Sequence, residues 1–189
     1  MKEKNAWPIL FKPELVRQIM AGKKIATRRV VKPGTRPRIP LAAVGNMLWV
    51  RECFQVLLKP HLVNKWLPAV GPLKEKPVRQ CRVVYAADRP AAGFSWEGPW
   101  RPGIHMPRWA CRLRLSVFGI YYQRVQDMTA DDAQREGVLC DNCEASCAAT
   151  AGCTCLDEFR KLWDRINGAR GYAWKDNPAV QVIDFLKLG

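Results

Sequence analysis

The sequence predicts an α+β fold: a small, mostly antiparallel β-barrel-like domain flanked by helices and carrying a cysteine-rich insertion, within one domain over residues 1–189. Three observations lead there. At roughly 150 residues per domain, 189 residues make one compact unit with room for a decorated loop. Stretches rich in β-branched and aromatic residues are interspersed with a few helices, without the repeated strand-helix-strand pattern of a doubly wound sheet. Five of the eight cysteines crowd into the segment between two predicted helices. With 48% hydrophobic and 25% charged residues, disorder, collagen-like repeats and coiled coil are poor readings.

The elements follow from periodicity and punctuation. Pro13 suits the first turn of a helix in which Leu15, Val16, Ile19 and Met20 share one face, and Gly22 ends it. Lys24, Thr27, Arg28 and Arg29 then fall in a loop after the helix C-terminus, a place that often carries function. Met47 to Leu57, Gln80 to Ala86 and Ala110 to Gln123 read as half-buried antiparallel strands, and the proline-rich stretches Lys59 to Pro77 and Arg89 to Pro107 as long ordered loops. Thr129 with Asp132 forms a capping-box-like start for a short helix that ends before Gly137. A longer helix from about Leu156 to Asn167 buries Phe159, Leu162, Trp163 and Ile166, and Gly168 terminates it. Ala179 to Leu188 returns to strand, with Val180, Val182 and Asp184 on one side and Gln181, Ile183 and Phe185 on the other. There is no GxGxxG or Walker-type phosphate loop.

Charge narrows the partner. Lysine and arginine number 31 against 17 acidic residues, a net charge of +14 that favours a polyanion. Met1 to Leu115 carries 23 basic and 6 acidic residues, whereas Ser116 to Gly189 carries 8 and 11. The densest stretch holds Lys23, Lys24, Arg28, Arg29, Lys32, Arg36 and Arg38 with no acid among them, a pattern that can hold phosphates or be a solvated surface. Tryptophans and prolines supply flat surfaces for stacking bases, although most of the tryptophans are expected in the core. His105, beside Arg108 and Trp109, can serve as acid, base or stacking neighbour, or as an ordinary loop histidine. Arg51 and Glu52 are adjacent on a strand, so at most one of them faces a given cleft. No apolar run approaches the roughly 20 residues that cross a bilayer, and no leader is evident, so a cytoplasmic protein without membrane contact is expected.

Gly22-Lys23-Lys24-Ile25-Ala26-Thr27-Arg28-Arg29 fits the GxKxxTxR signature of the ASCH domain, a branch of the PUA-like superfold. Leu48 to Glu52, Tyr85 to Asp88, Trp100 to Ala110, Asp132 to Val138, Leu162 to Asn167 and Asn177-Pro178 follow in the order seen in phage and prophage ASCH-like proteins, so the chain resembles that family over nearly its whole length. The resemblance implies a PUA-like β-barrel flanked by helices, with a cleft lined by the signature loop. It also implies a partner among RNA, more than DNA, or modified nucleobases and nucleosides. In the small ASCH amidohydrolases that deacetylate N4-acetylcytidine, a lysine, a threonine and a glutamate act together, and by motif position these are Lys24, Thr27 and Glu136 here. A lysine desolvated among cations can lose its proton and activate a threonine hydroxyl while a carboxylate exchanges protons. The plainer alternative is that Lys24 and Arg29 grip phosphates, Thr27 caps a turn and Glu136 pairs with an arginine. Lys23, Arg28, Arg29, Lys32, Arg36, Arg51, His105, Arg108 and Trp109 complete the candidate binding set.

Cys53, Cys81 and Cys111 sit singly in predicted strands and read as small buried hydrophobes. Cys140, Cys143, Cys147, Cys153 and Cys155 lie in the 138–156 insertion, compact enough for a structural zinc site of four thiolates. Free or partly paired thiols and an iron-sulfur cluster are the alternatives, and a reducing compartment argues against disulfides. No organic cofactor is expected. Two function classes therefore stand: a nucleic-acid or modified-nucleobase binding module, and an amidohydrolase acting on an N4-acylated cytosine in the same cleft. A nuclease ranks last for want of clustered carboxylates to hold two metals.

Overall fold

The computed structural model describes residues 6–37, 39–58, 81–89, 100–140 and 152–189. The chain enters on strand β1 (Ala6–Leu10) and helix α1 (Pro13–Met20), then strands β2 (Ala26–Val30), β3 (Met47–Arg51), β4 (Phe54–Leu58) and β5 (Cys81–Tyr85). A long strand β6 (Arg114–Arg124), helices α2 (Ala130–Arg135) and α3 (Cys155–Asn167) and strand β7 (Ala179–Lys187) complete it. The architecture is α+β, as expected. The strands form an open five-stranded sheet in the order β1-β3-β6-β7-β2 and a separate β4-β5 pair. The expected barrel is thus corrected: among the described residues the sheet does not close, and β1 pairs β3 in parallel while its other pairings are antiparallel.

The core explains the order of strands. β7 lies inside the sheet, and Val180 through Phe185 are all buried, because both of its faces are covered. Ile183 and Phe185 pack with Val16 and Ile19 of α1 and with Leu48, Val50, Leu115 and Val117. Val180 and Val182, pointing the other way, pack with Ala133 of α2 and with Phe159, Trp163 and Trp174. The alternation expected for this strand is therefore present, with two hydrophobic sides. Trp163 and Trp174 are core, but Trp7, Trp49, Trp100 and Trp109 are half-buried, fewer core tryptophans than expected among the described residues.

Two local expectations change. The predicted strand Met47 to Leu57 breaks at Glu52, whose buried carboxylate accepts from Arg112 Nε at 2.9 Å and Nη2 at 3.0 Å. Past that turn β4 pairs β5 in the second sheet instead of continuing the first. Arg112 also holds Asp88 and lies 3.9 Å from the Tyr85 ring centroid, so one guanidinium ties both sheets together. Burial pushes the Tyr85 hydroxyl up to about 12. Gly168 ends α3 as expected, in a right-handed conformation; a 3-10 turn (Gly168–Arg170) follows, and Gly171 at φ +78° makes the reversal. The region after α1 is not a loop throughout, since 26–30 is strand β2. The proline-rich loops, apart from Arg89 and residues 100–107, lie outside the described residues, as does most of the 138–156 insertion.

Cys53 and Cys111 are half-buried, where full burial was expected, and burial pushes both thiols up. The Cys81 side chain lies outside the described residues. Among the described residues no helix is long and apolar enough to cross a membrane.

Candidate functional site

β2 forms because the chain leaving α1 can pair with β7. Gly22, at φ +73°, reverses the backbone, and the Phe185 N–H then donates to the Ile25 carbonyl at 2.9 Å. At the other end Val31 N–H donates to Ala179. Alternation between those bonds directs the backbone of Thr27 and Arg29 to β7, leaving the N–H and C=O groups of Arg28 and Val30 on the outer side of the sheet's edge strand. Propensity for strand is weak in Ala-Thr-Arg-Arg-Val, so the pairing partner, 150 or so residues away in sequence, decides this element.

Beside that edge Lys24 and Glu136 meet in an isolated antiparallel bridge, although 112 residues separate them. Lys24 is 2% exposed, and its ammonium donates to the Ala26 carbonyl at 2.8 Å, to the Glu136 carbonyl at 2.8 Å and to the Glu136 carboxylate. Burial lowers the Lys24 pKa; the Glu136 charge opposes that, while Arg29 and Arg28 add to it. All three ammonium hydrogens are thereby committed.

The Arg28 side chain is fully buried and faces two carboxylates, Asp132 at 3.2 Å and Glu136 at 3.4 Å. Its Nε–H has no hydrogen-bond partner among the described residues. Asp132 belongs to the capping box of α2, where its carboxylate accepts from the Thr129 N–H. Burial works against its ionisation, but the Thr129 N–H and the Arg28 guanidinium outweigh that and hold its pKa below the ordinary value. Arg135, the last residue of α2, donates to Asp184 of β7 at 2.8 Å and fixes the helix against the sheet.

A cavity of about 570 Å³ opens along this edge. Thr27, Arg28, Arg29, Val30, Lys32 and Glu136 line one side of it; Phe159, Leu162, Trp163 and Ile166 of α3, with Asn167, Arg170 and Tyr172, line the other. The α3 wall is braced by its own hydrogen bonds, from Trp163 Nε1 to the Tyr172 carbonyl at 2.9 Å and from Trp174 N–H to Asp164 at 2.6 Å.

Of the expected site residues, Thr27, Arg28, Arg29, Lys32 and Glu136 line this cavity and Lys24 holds Glu136 from behind. Within the basic run Lys24 and Arg28 are internally neutralised, and Arg29 donates to the Leu10 carbonyl at 2.6 Å with its guanidinium over the Phe11 ring. Lys23, Lys32 and Arg36 are exposed. Arg38 lies outside the described residues. Lys23, Arg36, Arg51, His105, Arg108 and Trp109 are not among the cavity's lining residues. Arg51 lies over Trp49 on β3, His105 is half-buried in a 3-10 turn (Gly103–His105), and Arg108 is exposed. Trp109 packs against the Phe54, Val56 and Met106 cluster. Arg170 and Tyr172, unnoticed in sequence, join the site because the turn after α3 folds back over its last residues. The Gly168 to Tyr172 stretch, with two glycines flanking an arginine, was the available signal.

Cys140, Cys153 and Cys155 bring three sulfurs within 4.8 Å of one another, and could hold a metal. Four thiolates at about 2.3 Å from a tetrahedral zinc sit roughly 3.8 Å apart, so this donor set fits with small movements. Cys143 and Cys147 lie outside the described residues. The cluster joins the segment just after Glu136 to the first residue of α3.

Comparison with protein-family models finds no match, and comparison with curated proteins finds none either. Among solved structures, an ASCH domain from Lactobacillus crispatus JV V101 is similar with a TM-score of 0.46 at 12% identity, over 98% of this chain and 81% of that one.

Proposed function

We propose that the chain is an ASCH-type binding module that takes a modified pyrimidine, of RNA rather than DNA or as a nucleoside, into the cavity beside β2. The observation that carries this is the unsatisfied Nε–H of the buried Arg28 beside Thr27 and Glu136 on one cavity wall. A buried donor without a partner costs about 1–3 kcal/mol, which a ligand acceptor repays. Arg28 offers a donor, Glu136 an acceptor and Thr27 either, and the outward backbone groups of Arg28 and Val30 add two more of each, a set that includes both donors and acceptors for a pyrimidine's polar edge. Tyr172 and the α3 residues supply an apolar face for the ring. Lys24 is a positioning residue: it does not line the cavity, and it donates to both the backbone carbonyl and the carboxylate of Glu136.

The amidohydrolase reading keeps one specific support, that Thr27 and Glu136 share the cavity while the Glu136 carboxylate accepts from a lysine of lowered pKa. In that reaction the Thr27 hydroxyl adds to the acyl carbon, its proton passes through Glu136 to the departing amine nitrogen, and water later frees the acid. Against it, Lys24 is not among the cavity's lining residues, and its hydrogen bonds go to Ala26 and Glu136 rather than to Thr27. Titrating the protein with N4-acetylcytidine and with cytidine, by calorimetry and by acetate assay in the same samples, separates the two. Binding without acetate release is expected, with Thr27→Val weakening it about tenfold. Acetate release at a rate that Thr27→Val abolishes would replace the binding reading with the hydrolytic one, and absence of binding would remove both.

For the thiol cluster we propose zinc in a structural role, on the strength of a three-sulfur donor set that suits it.

A further inference from the structure

We infer that the ligand enters as a phosphorylated nucleoside, its phosphate held at the cavity mouth by Lys32 and Arg170. This rests on the base-pocket reading above and adds the anion. The cavity has a gradient of exposure: Thr27, Arg28, Glu136, Phe159 and Trp163 are buried, Tyr172, Leu162 and Ile166 are half-buried, and Lys32 and Arg170 are exposed. It also has a gradient of charge. At depth, the two cations Lys24 and Arg28 face the two carboxylates of Asp132 and Glu136, so the interior is balanced and suits a neutral ring. At the mouth, among the described residues, neither Lys32 nor Arg170 meets an acidic side chain.

These two cations reach the cavity from different elements, one from the segment after β2 and one from the segment after α3, and from turns whose backbones are fixed. The Lys32 carbonyl accepts from both the N–H and the hydroxyl of Thr35, and Gly34 at φ +70° closes that turn. Arg170 ends the 3-10 turn that Gly171 reverses, with the Gly171 N–H donating to Gly168 at 3.1 Å. A phosphate monoester or diester placed between them accepts a point charge from one side and a planar fork from the other. The phosphate can belong to a free nucleotide or to a polynucleotide backbone, and the recognition chemistry is the same.

Calorimetry at low salt on the full chain tests this with four ligands: N4-acetylcytidine, its 5′-monophosphate, ribose 5-phosphate, and a trinucleotide with the acetylated base in the middle. The monophosphate or the trinucleotide should bind about tenfold more tightly than the nucleoside, and whichever binds better identifies the source of the phosphate. That ratio should collapse in Lys32→Ala/Arg170→Ala and persist in Lys161→Ala, an exposed α3 substitution away from the cavity. Equal binding of nucleoside and phosphorylated forms, or a ratio that survives the double substitution, overturns the phosphate rim while leaving the base pocket standing. Ribose 5-phosphate binding as tightly as the nucleotide overturns the nucleoside inference together with the base-pocket reading. Failure of every ligand to bind does the same.

Discussion

Gly137 shows how closely the site is packed at the scale of one residue. It follows Glu136 at φ +85°, and a β-carbon there would lie 3.0 Å from the Cβ atoms of both Gln18 and Lys24. Neither neighbour is the free end of a flexible chain, so the backbone sign and the contact both oppose a side chain. Gly137→Ala should therefore destabilise by about 1–3 kcal/mol, seen as a lower urea midpoint at unchanged slope. The Lys24–Glu136 pair makes a sharper case. Glu136→Leu leaves the buried Lys24 ammonium without a carboxylate and should cost about 3–5 kcal/mol, whereas Lys24→Met leaves Glu136 the Arg28 guanidinium at 3.4 Å and should cost less. The double substitution should cost clearly less than the two singles together, because the charge that made each single costly is gone. An additive result would show that the two groups do not act as a pair. The motif residues Lys24, Thr27 and Arg29 could be singled out in sequence. Their different fates could not, since a buried, a cavity-facing and a ring-stacked side chain arise from partners elsewhere in the chain.

At the scale of elements, α2 is six residues long and depends on its ends. Thr129 Oγ1 accepts from the Asp132 N–H at 3.2 Å and the Asp132 carboxylate accepts from the Thr129 N–H at 3.1 Å, so Thr129→Ala should cost about 1 kcal/mol. Asp132 also carries a pH signature. Its folded pKa lies below the unfolded value, so its contribution is complete above the unfolded pKa near 3.8 and disappears as pH falls through the folded one. Unfolding measured between pH 5 and 2 should lose less stability in Asp132→Asn than in the wild type, and parallel curves would count against the shift. The thiol cluster joins α2's exit to α3, and α3 forms a cavity wall. Purified protein should thus carry about one zinc, and chelation should change Trp163 fluorescence and weaken cavity ligands before the sheet unfolds. Protein prepared under reducing conditions without metal, yet with an intact cavity, would dismiss that role. The three helices were readable because their signals are local: Pro13 and the apolar stripe of α1, the Thr129 box, and the Phe159, Leu162, Trp163 and Ile166 face of α3. β1 and β2 are not legible in the sequence, because both are edge strands with polar or interrupted sequences that exist only by pairing.

For the whole molecule, net charge of +14 makes association with polyanions salt-dependent, but the structure reduces the number of cations able to contribute. Lys24 and Arg28 are internally compensated, while Lys23, Lys32 and Arg36 remain exposed. Binding to single-stranded RNA should then weaken with salt at a log-log slope of about −0.7 for each phosphate engaged, and Lys23→Ala/Lys32→Ala/Arg36→Ala should flatten it by roughly two. A slope untouched by the triple substitution would place the contact elsewhere. The sequence by itself determined the α+β class, the helices, the hydrophobic alternation of β7, the excess of positive charge and the motif from which Lys24, Thr27 and Glu136 were chosen. Those properties reside in composition, in residue order and in short-range hydrogen bonds. Only the tertiary structure decided that the sheet stays open among the described residues, that β7 is covered on both faces, that Glu136 closes against Lys24 and Arg28, and that Arg170 and Lys32 line one cavity. These depend on side chains far apart in the chain being desolvated together, and the energy of a buried pair is a property of its surroundings rather than of either residue.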